Sequence, residues 1–130
     1  MVSGLFHPLH GAWRYVTATL DGNPSRPNGK GIIYYAPSGD MVVQVSPGSD
    51  TAKAGAKSTP EEALAALDGY IAYFGTYTID AAAKTVTHHR LGSVQPGDSA
   101  DLVRRYTIEG DRLTLSPPGT NYEVKWERIK

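Results

Sequence analysis

Eight runs rich in aromatic and β-branched residues, without a helical apolar stripe and most closed by a glycine- or proline-bearing turn, constrain this chain more than any other feature. They cover residues 12–20, 31–36, 41–46, 70–80, 84–91, 101–108, 112–116 and 122–128. The last is the clearest: Tyr122, Val124, Trp126 and Arg128 alternate strictly with Glu123, Lys125 and Glu127, the period of a strand with one covered face. Pro37-Ser38-Gly39-Asp40, Ala81-Ala82-Ala83 and Glu109-Gly110-Asp111 join neighbouring runs as tight hairpins, the last with glycine where positive φ is needed. Residues 21–30, 47–58 and 92–100 read as loops, because glycine, proline and small polar residues supply no core. One short helix is predicted near 59–68. Thr59 is its N-cap, Pro60 its first residue, Glu61 and Glu62 its first turn, Ala63, Leu64 and Leu67 its apolar face, and Gly69 its stop. Residues 1–10 are a lead-in that covers one end of the fold.

Strands joined in sequence by hairpins form an antiparallel meander. A sheet of eight strands removes its unpaired edges by closing on itself, and a barrel of that size either fills with side chains or holds one small ligand. The chain is therefore expected to be all-β, an eight-stranded antiparallel up-and-down barrel, with residues 1–130 as a single domain.

Charge and composition narrow the function by exclusion. Thirteen basic residues balance thirteen acidic ones, so no long-range field recruits nucleic acid or an anionic membrane. With no cysteine, disulfides, thiolate metal sites and thiol nucleophiles are excluded. The start lacks a basic region followed by an apolar run, and no stretch of eighteen apolar residues occurs, so the cytoplasm is the expected compartment. Nucleophile elbow, phosphate loop, zinc helix and dinucleotide fingerprint are all missing from the sequence, which leaves chemistry without a cofactor. His88 and His89 are adjacent, but on a strand they face opposite sides, so no metal site is expected there.

Parity selects the side chains that face inward. On the last strand these are Tyr122, Val124, Trp126 and Arg128, since the intervening charges are costly to bury. The first strand contributes Trp13, Tyr15 and Thr17; the third Met41, Val43 and Val45; the seventh Leu113 and Leu115. Between Tyr34 and Tyr35 the inward choice falls on Tyr35. The central hairpin offers Ile71, Tyr73, Gly75, Tyr77 and Ile79 against Val86, His88 and Arg90, with Gly75 the bend that lets the sheet close. Leu102, Arg104, Tyr106 and Ile108 complete the wall. Six tyrosines around one histidine and one arginine make an interior more polar than a filled core requires, and each buried polar group must find a partner. A cavity that holds water or a ligand follows.

The candidate reacting groups are His88, Arg104, Tyr73 and Tyr77. His88 is the one whose proton exchanges near neutrality, and the tyrosines with Arg104 suit a carbonyl or developing negative charge. Tyr15, Tyr35, Val43, Tyr106, Tyr122 and Trp126 are the candidate ligand contacts. The plainer alternative makes His88 a core histidine satisfied by a neighbouring tyrosine, with the tyrosines as amphipathic wall.

Gly11-Ala12-Trp13-Arg14 on the first strand with Trp126-Glu127-Arg128 on the last is similar to the lipocalin signature, in which the first tryptophan packs at the closed end beneath the final arginine. Tyr34-Tyr35-Ala36-Pro37-Ser38-Gly39-Asp40-Met41, Tyr73-Phe74-Gly75-Thr76-Tyr77, Val86-Thr87-His88-His89, Arg104-Arg105-Tyr106 and Leu113-Thr114-Leu115 extend the likeness in order along nearly the whole chain. It resembles the small bacterial and fungal lipocalin-like domain family, which implies a calycin-type barrel with an internal cavity. By analogy with barrels of this type that act as cyclases or pericyclic enzymes, the resemblance implies a small, largely apolar, polyketide-like or terpenoid ligand. It is either cyclised or isomerised without a cofactor in a natural-product pathway, or carried and sequestered unchanged. A homodimer acting through the outer surface is the remaining option.

Overall fold

The computed structural model describes residues 7–25, 27–47, 59–95, 97 and 100–130. In chain order these form β1 (Gly11–Leu20), β2 (Asn23–Pro24), β3 (Lys30–Tyr35), β4 (Asp40–Ser46), α1 (Pro60–Leu67), β5 (Ile71–Asp80), β6 (Thr85–Ser93), β7 (Leu102–Glu109), β8 (Arg112–Ser116) and β9 (Tyr122–Arg128). Each long strand pairs antiparallel with the next, and β9 pairs back onto β1, so eight strands close into an up-and-down barrel. The two-residue β2 is an addition. It pairs only with Thr19 and Leu20, along the part of β1 that β3 does not reach.

Alternation held by closure decides what is inside. Ile33, Tyr35, Met41, Val43, Val45, Leu113, Leu115 and Trp126 are all buried, as parity requires, while Tyr34, Val42 and Val103 between them are exposed. The first strand departs from the expectation. Val16 is an extra residue that opposes nothing on β9, so Tyr15 pairs with Trp126 but Thr17 pairs with Lys125 and Ala18 with Val124. That bulge resets the parity, and Ala18 rather than Thr17 is the buried residue. A second bulge lies on β6 opposite Phe74 and Gly75, where Leu91 is the unpaired residue. A Cβ on Gly75 would collide with the His89 carbonyl, so the two backbones approach there as only glycine permits.

One end of the barrel is closed by side chains and by the chain's own lead-in. Leu9 is fully buried beneath Trp13, whose Nε1–H donates to the Leu9 carbonyl at 3.0 Å. Arg128 lies 4.1 Å above the Trp13 ring and donates to the carbonyls of Pro8 (2.6 Å) and His10 (2.8 Å). Tyr35, Met41, Val86 and Leu113 fill the remaining space at this end.

The helix forms as its sequence directs. Thr59 Oγ1 accepts from the Glu62 amide at 3.1 Å, Glu62 Oε1 accepts from the Thr59 amide at 2.7 Å, and Gly69 at φ +75° carries the chain away beyond Asp68. Its apolar residues do not join the core as their spacing suggested: Leu64 and Leu67 are both exposed. Most of the stretch 47–58 lies outside the described residues.

Candidate functional site

A cavity of about 330 Å³ occupies the end of the barrel opposite Trp13. Its apolar wall is built by Ile33, Val43 and Val45 from β3 and β4, and by Leu115 and Val124 from β8 and β9. Tyr70, Gln95 and Pro117 place its mouth among the connections at the strand ends. These inward apolar residues follow directly from strand parity. The polar groups set among them are what distinguish this end from the other.

His88 is the pivot. It is 2 % exposed, and both ring nitrogens are taken: Nε2 lies 2.6 Å from the Tyr35 hydroxyl and Nδ1 lies 2.7 Å from the Tyr73 hydroxyl. Burial, with the positive charge of Arg104 next, pushes its pKa down to about 3, so the imidazole is neutral across the physiological range. Burial likewise pushes the Tyr73 phenol up to about 12, against the opposing pull of Arg104 and Arg90, and raises Tyr35 well above its ordinary value. The triad Tyr35, His88, Tyr73 is therefore uncharged. It spans from the packed end of the barrel to the cavity, where His88 and Tyr73 form part of the lining and Tyr35 is wholly buried behind them.

Two cations stand beside Tyr73. Arg90 lies 5.7 Å from its ring centre and donates from Nε to the Ala100 carbonyl at 2.9 Å. Arg104 lines the cavity, donates from one guanidinium nitrogen to the carbonyl of Val103 at 2.9 Å, and has no carboxylate partner among the described residues. Across the barrel Trp126, 3 % exposed and edge-on to Tyr15 at 5.8 Å, also forms part of the wall. Its Nε1–H has no partner among the described residues.

The candidates named from the sequence thus fall in two places. His88, Arg104, Tyr73, Tyr15, Val43, Tyr122 and Trp126 meet at the cavity. Tyr77, Tyr35 and Tyr106 do not line it. The Tyr77 hydroxyl donates to the Ala36 carbonyl at 2.6 Å, and Tyr106 sits edge-on to His7, 5.8 Å between ring centres, in a separate cleft with Lys84. They share the inward parity of the cavity residues but lie deeper along their strands. His89 faces outward and joins Thr78 and Asp101, each at 2.9 Å. Sequence reasoning missed Ser93, Gln95 and Tyr70 at the mouth. Ser93 turns inward because the Leu91 bulge shifts the parity of β6, and the other two sit just beyond strand ends, where alternation carries no signal.

Among the described residues no group of three or more His, Asp and Glu converges as a metal would need, and no helix is long and apolar enough to cross a membrane. A closed eight-stranded meander with a tryptophan and arginine sealing one end and a largely apolar cavity at the other defines a small lipocalin-like barrel. The chain matches the lipocalin-like domain family over residues 10–128 and belongs to it. Among solved structures it is similar to a DUF4847 family protein from Bacteroides vulgatus, at 14 % identity over 94 % of each chain with a TM-score of 0.53, a likeness of fold alone. No curated protein matches it.

Proposed function

We propose that this barrel binds a small, largely apolar molecule, polyketide-like or terpenoid in size, within the cavity beside His88, and holds or carries it unchanged. The observation that supports this most is the cavity itself: about 330 Å³ of mostly apolar space in a barrel that could have been filled. The chemistry of His88 favours carriage over turnover. A general base works best with a pKa near the operating pH, whereas His88 is held near 3 with both nitrogens occupied.

A cofactor-free cyclase or isomerase is the second reading. What favours it is the Tyr73 hydroxyl beside Arg104, donors suited to negative charge developing on a carbonyl oxygen. Such an enzyme would act by positioning and electrostatics alone.

Titration with the neutral dye Nile red tests binding. Saturable fluorescence enhancement is expected for the natural protein and its loss is expected in Val43→Trp, which fills the cavity, with the thermal transition retained. Undiminished uptake by Val43→Trp would place the dye elsewhere and remove the reading. Turnover is tested by incubating polyketide-like and terpenoid substrates with the protein: a product that disappears in Arg104→Leu supports catalysis, and unaltered recovery of every bound compound removes it. Outside the barrel, Tyr34, Val42 and Phe74 form an exposed apolar row across β3, β4 and β5, the face we assign to a homodimer. A single monomeric mass by light scattering across concentrations would remove that assignment.

A further inference from the structure

The hydrogen bonds around His88 have a direction, and that direction reaches the cavity. A neutral imidazole has one N–H and one lone pair, so one of its two tyrosine partners must donate to it and the other must accept from it. Tyr35 is fully buried, and His88 Nε2 is its hydroxyl's sole hydrogen-bond partner among the described residues. Were Tyr35 to accept from Nε2, its own proton would be stranded in a dry core, the most costly state for a hydroxyl. Tyr35 therefore donates to Nε2, the imidazole proton sits on Nδ1, and Nδ1–H donates to the oxygen of Tyr73. The Tyr73 hydroxyl proton is left over. No second partner for it exists among the described residues, and Tyr73 lines the cavity.

The other polar groups of the wall have the same sense. Arg104 and Arg90 are cations that only donate, and Trp126 Nε1–H is a buried donor without an acceptor among the described residues. No aspartate or glutamate lines the cavity among the described residues, although the chain as a whole carries equal numbers of acids and bases. A pocket with the Arg104 guanidinium, two donors that lack acceptors among the described residues and no carboxylate among them is mismatched to a hydrocarbon and to a cation.

We propose that the ligand carries an anionic oxygen head group of the carboxylate class, seated on the Tyr73 hydroxyl and the Arg104 guanidinium, with its apolar body against Val43, Val45 and Leu115. Tyr35 and His88 act as positioning residues, because their one-way chain fixes Tyr73 as a donor toward the head group. This proposal rests on the binding reading above and adds the charge and polarity of what is bound.

The test is displacement of Nile red from the intact protein by matched pairs that share a body and differ in head group: decanoate against decylamine, and naphthoate against naphthylmethylamine. The acids are expected to displace the dye at least tenfold more tightly than the amines, and the advantage is expected to shrink at least tenfold in Arg104→Leu and several-fold in Tyr73→Phe. Equal affinity of acid and amine overturns the head-group proposal while leaving a binding barrel intact. Failure of the natural protein to take up dye or any of the four compounds overturns both. Should Arg104→Leu fold poorly, the acid-to-amine ratio on the natural protein decides alone, since it requires no variant. Retention of the full acid preference in a folded Tyr73→Phe overturns the role given to the hydroxyl chain.

Discussion

Two buried tryptophans show how the ends of this barrel differ. Trp13 and Trp126 both lie inside, on strands that pair with one another, and both are shielded from solvent. Trp13 finds every partner: its N–H meets the Leu9 carbonyl and its ring carries Arg128. Trp126 has the cavity beside it and an N–H that meets nothing among the described residues. The closed end is thus a finished core. At the open end the same architecture leaves donors waiting, and a chain selected for stability alone would have filled that space or replaced those groups.

Substituting each tryptophan in turn gives the largest test of the contrast. Trp13→Ala removes a fully packed ring, its hydrogen bond and the surface on which Arg128 rests, and is expected to cost about 3–5 kcal/mol in urea denaturation. Trp126→Phe keeps most of the ring and deletes a donor that has no partner among the described residues, so its expected cost is under about 1.5 kcal/mol. Equal costs would mean that both ends are packed alike.

His88, at the boundary, sets the next effect. In the unfolded chain it takes up a proton near its ordinary value of 6.5, but when folded only near 3. Between those values the unfolded state holds more protons, so stability is full above the upper value and falls as pH drops toward the lower. Each unit of separation is worth about 1.4 kcal/mol, and the complete fall is on the order of 5 kcal/mol. Arg104, Arg90 and His89 all press in the same direction as burial. Other groups titrate in this window, so the measurement is the difference between the natural protein and His88→Gln. The variant is expected to lose stability less steeply on acidification. Parallel curves would show that the imidazole is not held neutral.

Gly75 joins the two halves and carries a smaller effect. The Cβ of Gly75→Ala would enter the space of the His89 carbonyl, which backbone must vacate. The expected cost is about 1–3 kcal/mol, read from the midpoint of denaturation. A neutral outcome would show that the bulge at Leu91 relaxes freely.

Much of this was legible in the chain. The charged residues alternating with Tyr122, Val124, Trp126 and Arg128 leave one possible inside for β9, and closure then orders its neighbours. The failures have two physical sources. A bulge shifts parity by one residue, as at Val16 and Leu91, and neither position has a composition that marks it. Depth along a strand is the other, because a period of two says which way a side chain points and nothing about how far down the barrel it sits. Parity alone therefore does not separate Tyr77 and Tyr106 from Tyr73, nor does it show that Tyr35 lies behind His88 and outside the cavity lining. Direction of hydrogen bonding, which separates Tyr73 from the other tyrosines, is invisible until partners are placed.

The smallest expected effect concerns α1, whose Leu67 carbonyl accepts from Gln95 Nε2 at the mouth of the cavity at 2.9 Å. Its capping box is complete, and losing the Thr59 hydroxyl strands the Glu62 amide, so Thr59→Ala is expected to weaken the helix by about 1 kcal/mol. Yet Leu64 and Leu67 are exposed and the core lies elsewhere, so little of the barrel depends on that helix. Global denaturation should shift by less than about 0.5 kcal/mol, while hydrogen exchange at the amides of Ala63 and Leu64 should speed up about fivefold. A global shift as large as the local one would mean that the helix and the barrel unfold as one unit, and the mouth of the cavity would then share the stability of the closed end.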